Sequence, residues 1–207
     1  MNNRWNTIIY KFWSPIYDNL FNSGKFLEAR KKIFQGEKFG ENQHILFVGV
    51  GTGADLELIN YKDLNITAID YSYEMLEKAK AKCQSSSIQF FKMDAQDMNF
   101  KDNQFDVVIA SLVLSVVPDA DKCMKEMVRI LKPDGKIIIF DKFSPKGKKL
   151  SLMKKIIRPF INFLGTDIGV NFETLYESNK ENLTVKQNES IMFKGMYREI
   201  VISKNSI

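Results

Sequence analysis

Histidine and cysteine are nearly absent from this chain, with one His and two Cys in 207 residues. Metal centres are built from clusters of these side chains, and no metal-ligand spacing is present, so zinc and redox chemistry are disfavoured. Cys83 and Cys123 lie far apart inside amphipathic helical patterns, which points to two reduced thiols rather than a disulfide. The lone His44 stands just before the first strand pattern. Ligands of open α/β sheets gather at the other end of the strands, so His44 is expected to be structural or solvent-facing rather than a catalytic base. No apolar run reaches the ~18 residues of a membrane-spanning helix. The start, Met1-Asn2-Asn3-Arg4-Trp5, lacks the apolar core of a secretion signal. A soluble, cytoplasmic protein is expected. Repeats and low-complexity linkers are also missing. Acid is missing from a basic stretch: residues 142–166 carry Lys142, Lys146, Lys148, Lys149, Lys154, Lys155 and Arg158 with no Asp or Glu, against a net charge of +5 for the whole chain.

What is present organises around one segment. At 44% apolar content the chain is read as a single domain, residues 1–207, large enough to bury a two-sided sheet. The run Ile45-Leu46-Phe47-Val48 breaks into Gly49-Val50-Gly51-Thr52-Gly53 and then an amphipathic pattern, predicting strand, tight turn and helix. Glycines at alternate positions let the turn use positive φ and let backbone touch a ligand lying across the strand tip. The amides that open a following helix would favour a polar or negative group there. A nucleotide-like cofactor is the expectation. Gly49, Gly51 and Ala54 also fit the GxGxxG/A spacing of dinucleotide sites, so a nicotinamide cofactor competes at this point.

The strands that follow narrow the choice. Asn65-Ile66-Thr67-Ala68-Ile69-Asp70 ends in an acid at the distance expected of a ribose-binding carboxylate. A helix is predicted over Tyr71 to Lys82 with Met75, Leu76 and Ala79 on its apolar side. A third strand, Ser87 to Asp94, closes on an acid followed by the small Ala95. Phe105 to Ser111 reads as a buried central strand continuing through Leu112 to Asp119. Ala120 to Lys132 is an amphipathic helix, and Leu131-Lys132-Pro133-Asp134-Gly135 turns into a fifth strand, Ile137 to Asp141. Strand patterns at Asn182 to Gln187 and Met196 to Lys204 close the chain.

From residue 10 to 204 this succession resembles the class I S-adenosylmethionine-dependent methyltransferases. The marks are the GxGxG rhythm, Asp70, the Asp94-Ala95 pair and the Leu-Lys-Pro-Asp-Gly turn. The resemblance implies a Rossmann-like fold, a seven-stranded and mostly parallel sheet with helices on both faces and the final strand antiparallel. It implies S-adenosylmethionine held by Gly49, Val50, Gly51 and Gly53, with Asp70 and Tyr71 at the ribose. Met75 would pack on the adenine, and Asp94 and Ala95 would read its edge, although Asp94 also suits the cap of a turn over Ala95 to Met98. Ser111 joins the set at the fourth strand tip. The family usually carries an acid where Phe47 stands. That acid helps hold the methionine amine, so Phe47 either weakens the site or is simply strand core.

Residues 1–40 are rich in aromatics, read as two helices that cover the sheet's open end. Ser14-Pro15-Ile16-Tyr17-Asp18 followed by Arg30-Lys31-Lys32 resembles the leader of quinone-biosynthesis and phospholipid N-methyltransferases, which closes over the cofactor. Tyr17 and Tyr10 would then line the acceptor pocket. The basic stretch 142–166 interleaves its cations with Leu150, Met153, Ile157 and Ile161 at helical spacing, suiting either a cap helix or a helix on an anionic membrane surface. The expected reaction is methyl transfer to a small-molecule or lipophilic acceptor, a phospholipid amine or quinone-like compound, with no catalytic residue assigned. The sequence at the fourth strand tip, Ala-Ser-Leu-Val-Leu, differs from the Asn/Asp-Pro-Pro-aromatic tip of enzymes that methylate bases, so nucleic acid is disfavoured as a partner. Two other readings stand beside this one: a protein that binds S-adenosylmethionine or S-adenosylhomocysteine without turnover, and a NAD-dependent oxidoreductase.

Overall fold

The computed structural model describes residues 22–61, 63–83, 88–144 and 169–206. Seven strands form one sheet: β1 (His44–Val48), β2 (Asn65–Asp70), β3 (Ile88–Lys92), β4 (Phe105–Ser111), β5 (Leu131–Lys142), β6 (Leu183–Met192) and β7 (Tyr197–Lys204). The order is β3-β2-β1-β4-β5-β7-β6. β7 runs antiparallel to both its neighbours, from Lys136↔Ser203 to Lys142↔Tyr197 against β5, while β1 to β5 are parallel. Four α-helices are found among the described residues: α1 (Gly24–Gly36), α2 (Tyr73–Lys82), α3 (Ala120–Ile130) and α4 (Phe172–Asn179).

The strand pleat sorts side chains between two cores. Ile45 and Phe47 face one side with Ile33 and Phe34 of α1 and Leu76 and Ala79 of α2. Leu46 and Val48 face the other with Met124 and Met127 of α3 and Phe172 and Leu175 of α4. Helices thus cover both faces, as a mostly parallel sheet requires. The antiparallel strand between β5 and β6 distinguishes this sheet from the all-parallel 3-2-1-4-5-6 order of dinucleotide-binding domains.

Several local expectations need correction. The chain after Gly53 is not an α-helix but one 3₁₀ turn, Leu56–Leu58. Residues 54–64 are all that return the chain to the amino end of β2. Asp55 is drawn to Arg30 of α1 at 3.1 Å and Leu56 is fully buried, so the connection folds down early. β4 stops at Ser111 because Leu112 takes φ +57° and leaves the strand. β5 starts earlier than expected, at Leu131, running through the Leu-Lys-Pro-Asp-Gly turn with a register shift against β4 between Phe105 and Val107. α4 was not legible as a helix, since its eight residues carry little periodicity; Asn171 caps it by accepting from the Thr174 amide.

His44 opens β1, is exposed, and uses its amide to bond Asp106 at 2.9 Å, at the end away from the glycine turn. Cys83 and Cys123 are free and buried, and burial raises both thiols. No helix among the described residues is long and apolar enough to cross a membrane. Residues 145–168, which hold most of the basic stretch, lie outside the described residues, as do Tyr10 and Tyr17. The chain on either side of 145–168 is held together, however: the Ser144 amide donates to the Val170 carbonyl at 2.8 Å, and Asn171 Nδ2 to Ser144 Oγ at 3.2 Å. That neck sits at the carboxyl end of β5, the same end of the sheet as the glycine turn.

Candidate cofactor site

The chain leaves β1 toward β2 and β4 toward β5, so a crevice opens where the carboxyl ends of β1 and β4 lie side by side. The glycine turn lines it. Gly49 has φ +64°, and a Cβ there would lie 2.6 Å from Val113 Cγ2, so this position closes against the loop after β4. Gly51 is the opposite case, with φ +56° and nothing within 4 Å of a Cβ position: it faces open space. The Gly51 amide donates to Asp70 Oδ2 at 2.8 Å, and the Ser72 amide to Asp70 Oδ1 at 2.8 Å. Val50 is tied to the same strand through Ile69 O at 2.9 Å. Asp70 therefore does more than end a strand, because it joins the tip of β2 to the glycine turn. Burial pushes its carboxyl up, opposed by the amides of Ser72, Gly51 and Tyr71.

Beyond Asp70, Ser72 caps α2 by accepting from the Met75 amide at 3.3 Å. Met75 is buried and Tyr71 is 39% exposed. Asp94 lies past the tip of β3. Its Oδ1 accepts from the amide and the side-chain amide of Gln96, each at 2.9 Å, and its carbonyl accepts from the Asp97 amide. The turn-capping role is thus realised; Ala95 beside it is buried. Gln96 also accepts from the Asp119 amide at 2.8 Å, fastening this loop to the start of α3. At the tip of β4, Ser111 is buried and its hydroxyl has no hydrogen-bond partner among the described residues. Such a group is a position that a bound ligand would satisfy.

Several residues hold the site in place through contacts that sequence reasoning did not give them. Arg129 of α3 donates to the carbonyls of Met98 and Phe100, each at 2.8 Å, and to Glu126 and Asp102, pinning the loop that carries Asp94. Glu126 in turn accepts from the Met98 amide at 2.7 Å. Arg30 and Asp55 form a buried pair that clamps α1 against the glycine turn, and Asn22 reaches Thr52 at 3.5 Å. Only spacing along α3 (Glu126 and Arg129 at i, i+3) was available as a signal, and the long-range partners were invisible.

The Arg129 hydrogen bond holds the Glu126 carboxyl below its ordinary 4.5, partly offset by burial and helped by the Met98 amide. A carboxylate with a lowered folded value stabilises the fold above its unfolded value and loses that contribution as pH falls through the folded one. Urea titrations from neutral to acid pH should therefore show the parent losing stability below about 4.5, with Glu126→Gln showing a shallower acid limb. A parallel acid limb in the variant would refute the assignment.

Asp141, the acid that closes the fifth strand pattern, is fully buried at the end of β5. Its carboxylate accepts from the Ser115 amide at 3.1 Å and the Lys142 amide at 2.7 Å, and burial raises it. It holds the loop after β4 rather than facing a substrate.

An S-adenosylmethionine molecule fits the set that is present: open space over Gly51, a carboxylate at the tip of β2 beside it, and an unsatisfied hydroxyl at the tip of β4. The poor fit is Phe47, which is 2% exposed in the core beneath the turn and offers nothing to an amine.

A seven-stranded sheet of this order with a glycine turn over its switch point defines a Rossmann-like methyltransferase fold. Residues 46–139 match the family model described as a methyltransferase domain. The chain is 34% identical over 160 residues to a phosphatidylethanolamine N-methyltransferase from Cereibacter sphaeroides, covering 75% of this chain and 77% of that protein. It is 28% identical over 206 residues to a demethylmenaquinone methyltransferase from Lactobacillus johnsonii, covering 92% and 84%. Among solved structures, an S-adenosylmethionine-dependent methyltransferase from Thermotoga maritima superposes with a TM-score of 0.70 at 19% identity, over 95% of this chain and 99% of that one. The [4+2]-cyclase SpnF superposes at 0.68 with 16% identity, over 87% and 80%. The chain belongs to the class I S-adenosylmethionine-dependent methyltransferases. The cyclase is a reminder that the fold alone does not fix the chemistry.

Proposed function

We propose that this protein transfers the methyl group of S-adenosylmethionine to a lipophilic acceptor, a phospholipid amine or a quinone-like ring. The observation that carries the cofactor half is the Gly51–Asp70–Ser72 arrangement, in which one carboxylate fixes the open glycine turn while each of its oxygens, accepting one amide, has a lone pair left for a further donor. Asp70 and Tyr71 would hold the ribose, Met75 would pack on the adenine, Asp94 and Ala95 would read its edge, and Ser111 would bond the methionine end. The cofactor supplies a methyl group on a sulfonium, already a good leaving group. The protein's own contribution is then to hold acceptor and cofactor in line, and proximity of this kind is worth up to about 7–11 kcal/mol. A strong base is not needed, in keeping with the occupied carboxylate of Asp141.

The acceptor half is supported by the names of the two relatives above, one acting on a phospholipid and one on a quinone precursor, and by the position of the neck at Ser144 and Val170, which starts the basic stretch at the cofactor end of the sheet. Peripheral contact with an anionic membrane follows from that reading. Calorimetric titration with S-adenosylmethionine, S-adenosylhomocysteine and NAD should show binding of the first two only. Turnover of methyl-labelled cofactor against phospholipid, quinone, amine and thiol pools should label the lipid or quinone fraction. Label found only in water-soluble amines or thiols would overturn the acceptor class.

A second reading keeps the cofactor without turnover, and Phe47 is its observation. Tight S-adenosylhomocysteine binding with no labelled product from any pool would select it.

A further inference from the structure

The turn between β6 and β7 carries an oddity that the cofactor site does not use. Phe193 and Lys194 both adopt left-handed backbone, with φ +50° and +56°, followed by Gly195 at +86°. A glycine is at home there; a phenylalanine is not, and such conformations persist where surrounding structure enforces them. Phe193 is also 53% exposed. It is nevertheless held firmly, at the outer end of a chain of rings that begins in the sheet. Phe140 of β5 meets Tyr197 at 6.0 Å, Tyr197 meets Phe26 of α1 edge-on at 5.1 Å, and Phe193 lies 5.7 Å from Tyr197 and 6.1 Å from Phe26. The turn thus spends backbone strain to hold an aromatic ring rigidly in water.

Its surroundings are basic. Lys194 is exposed beside the ring, and the exposed charges of α1 are Lys25, Glu28, Lys31 and Lys32, with Lys25 next to Phe26 and Lys32 paired to Glu189 of β6 at 3.8 Å. Lys142, which opens the acid-free stretch, pairs with Tyr197 across β5 and β7. The location matters as much as the chemistry. The segment entering α1 touches the glycine turn through Asn22 and Thr52, while its first turn touches Phe193 through Phe26. The turn therefore lies at the same end of the sheet as the glycine turn and is joined to it through the start of α1.

We infer that the β6–β7 turn, Phe193 and Lys194 together with Lys25 and Phe26, is the surface by which the enzyme seats on an anionic lipid bilayer. A rigid exposed ring among lysines suits a lipid headgroup layer, where the ring enters the apolar boundary and the cations meet anionic headgroups. The inference rests on the lipophilic-acceptor reading for its purpose, since it would bring the cofactor end of the sheet to the layer in which such acceptors reside.

The test compares the parent, Phe193→Ser, and Lys25→Glu combined with Lys194→Glu. Each is sedimented with vesicles of phosphatidylglycerol mixed with phosphatidylcholine and with vesicles of phosphatidylcholine alone, at low and high salt. Thermal melting and S-adenosylmethionine titration check that fold and cofactor site are intact. The parent should favour the anionic vesicles, and the double charge reversal should lower that partitioning by at least about ten-fold, given ~1 kcal/mol per cation at such a surface. Phe193→Ser should lower it several-fold at both salt concentrations, because the ring's contribution is not screened. Folded variants that partition like the parent would overturn the inference, as would a parent that does not distinguish the two vesicle types. The acceptor reading fails separately: turn-dependent vesicle binding with no labelled lipid or quinone product leaves the surface standing and removes the proposed acceptor.

Discussion

Replacing Asp70 by alanine is expected to weaken S-adenosylmethionine binding by about 1.5–3 kcal/mol, the range for hydrogen bonds to a charged group, or roughly ten- to a hundred-fold in affinity. Sequence spacing alone would assign all of this loss to the ribose and leave stability unchanged. The structure changes that expectation, because Asp70 also holds the amides of Gly51 and Ser72. The same substitution should therefore cost about 1–2 kcal/mol of stability, less than two full charged bonds because removing a half-buried carboxylate recovers some of its desolvation cost. Asp70→Asn separates the two contributions. Its carbonyl can still accept from one amide, so it should melt closer to the parent than the alanine variant while binding cofactor less tightly. Calorimetric titration and thermal melting of all three proteins make the comparison, and parent-like affinity in Asp70→Ala would sink the ribose assignment whatever its stability.

The dual role of Asp70 illustrates what the sequence could and could not reveal. Strand tips were legible because an apolar run ending in Gly49, Asp70 or Ser111 announces both a buried strand and its end. Parallel pairing across the sheet then carries those tips to one edge without further information. Partners distant along the chain were not legible. Arg129 reads as half of an i, i+3 pair, yet its larger role is to pin Met98 and Phe100, about thirty residues back, below Asp94. Asp141 reads as an available acid at a strand tip, and only the fold shows it consumed by the amides of Ser115 and Lys142. The missing helix after Gly53 has a similar cause. Local pattern favoured helix, but burial of Leu56 and the Arg30 pairing of Asp55 tightened the segment into a single 3₁₀ turn. The Phe193 turn was hidden for the opposite reason, since no propensity rule places phenylalanine in left-handed backbone.

The largest effect on the fold is expected from Phe47→Asp, the substitution that would restore the acid usual in this family. Phe47 sits in the middle of β1, pairs with Ala68 on one side and Ile109 on the other, and is 2% exposed. Its ring packs in the core beneath the glycine turn, among the side chains of α1, α2 and the neighbouring strands. Removing such a ring costs about 3–5 kcal/mol through lost burial and the cavity left behind. The new carboxyl would either ionise without a partner or take up a proton, and each adds a further penalty. A loss of at least about 4 kcal/mol out of the 5–15 that a domain ordinarily holds should lower the melting temperature by roughly 8–16 °C or abolish folding. Phe47→Leu keeps an apolar side chain and should cost much less, which separates loss of packing from loss of any special property of the ring. Cofactor titration on whatever folded protein remains completes the test. A Phe47→Asp protein that melts like the parent and binds S-adenosylmethionine more tightly would show that β1 tolerates the acid, and that this site had lost an anchor rather than exchanged it for core.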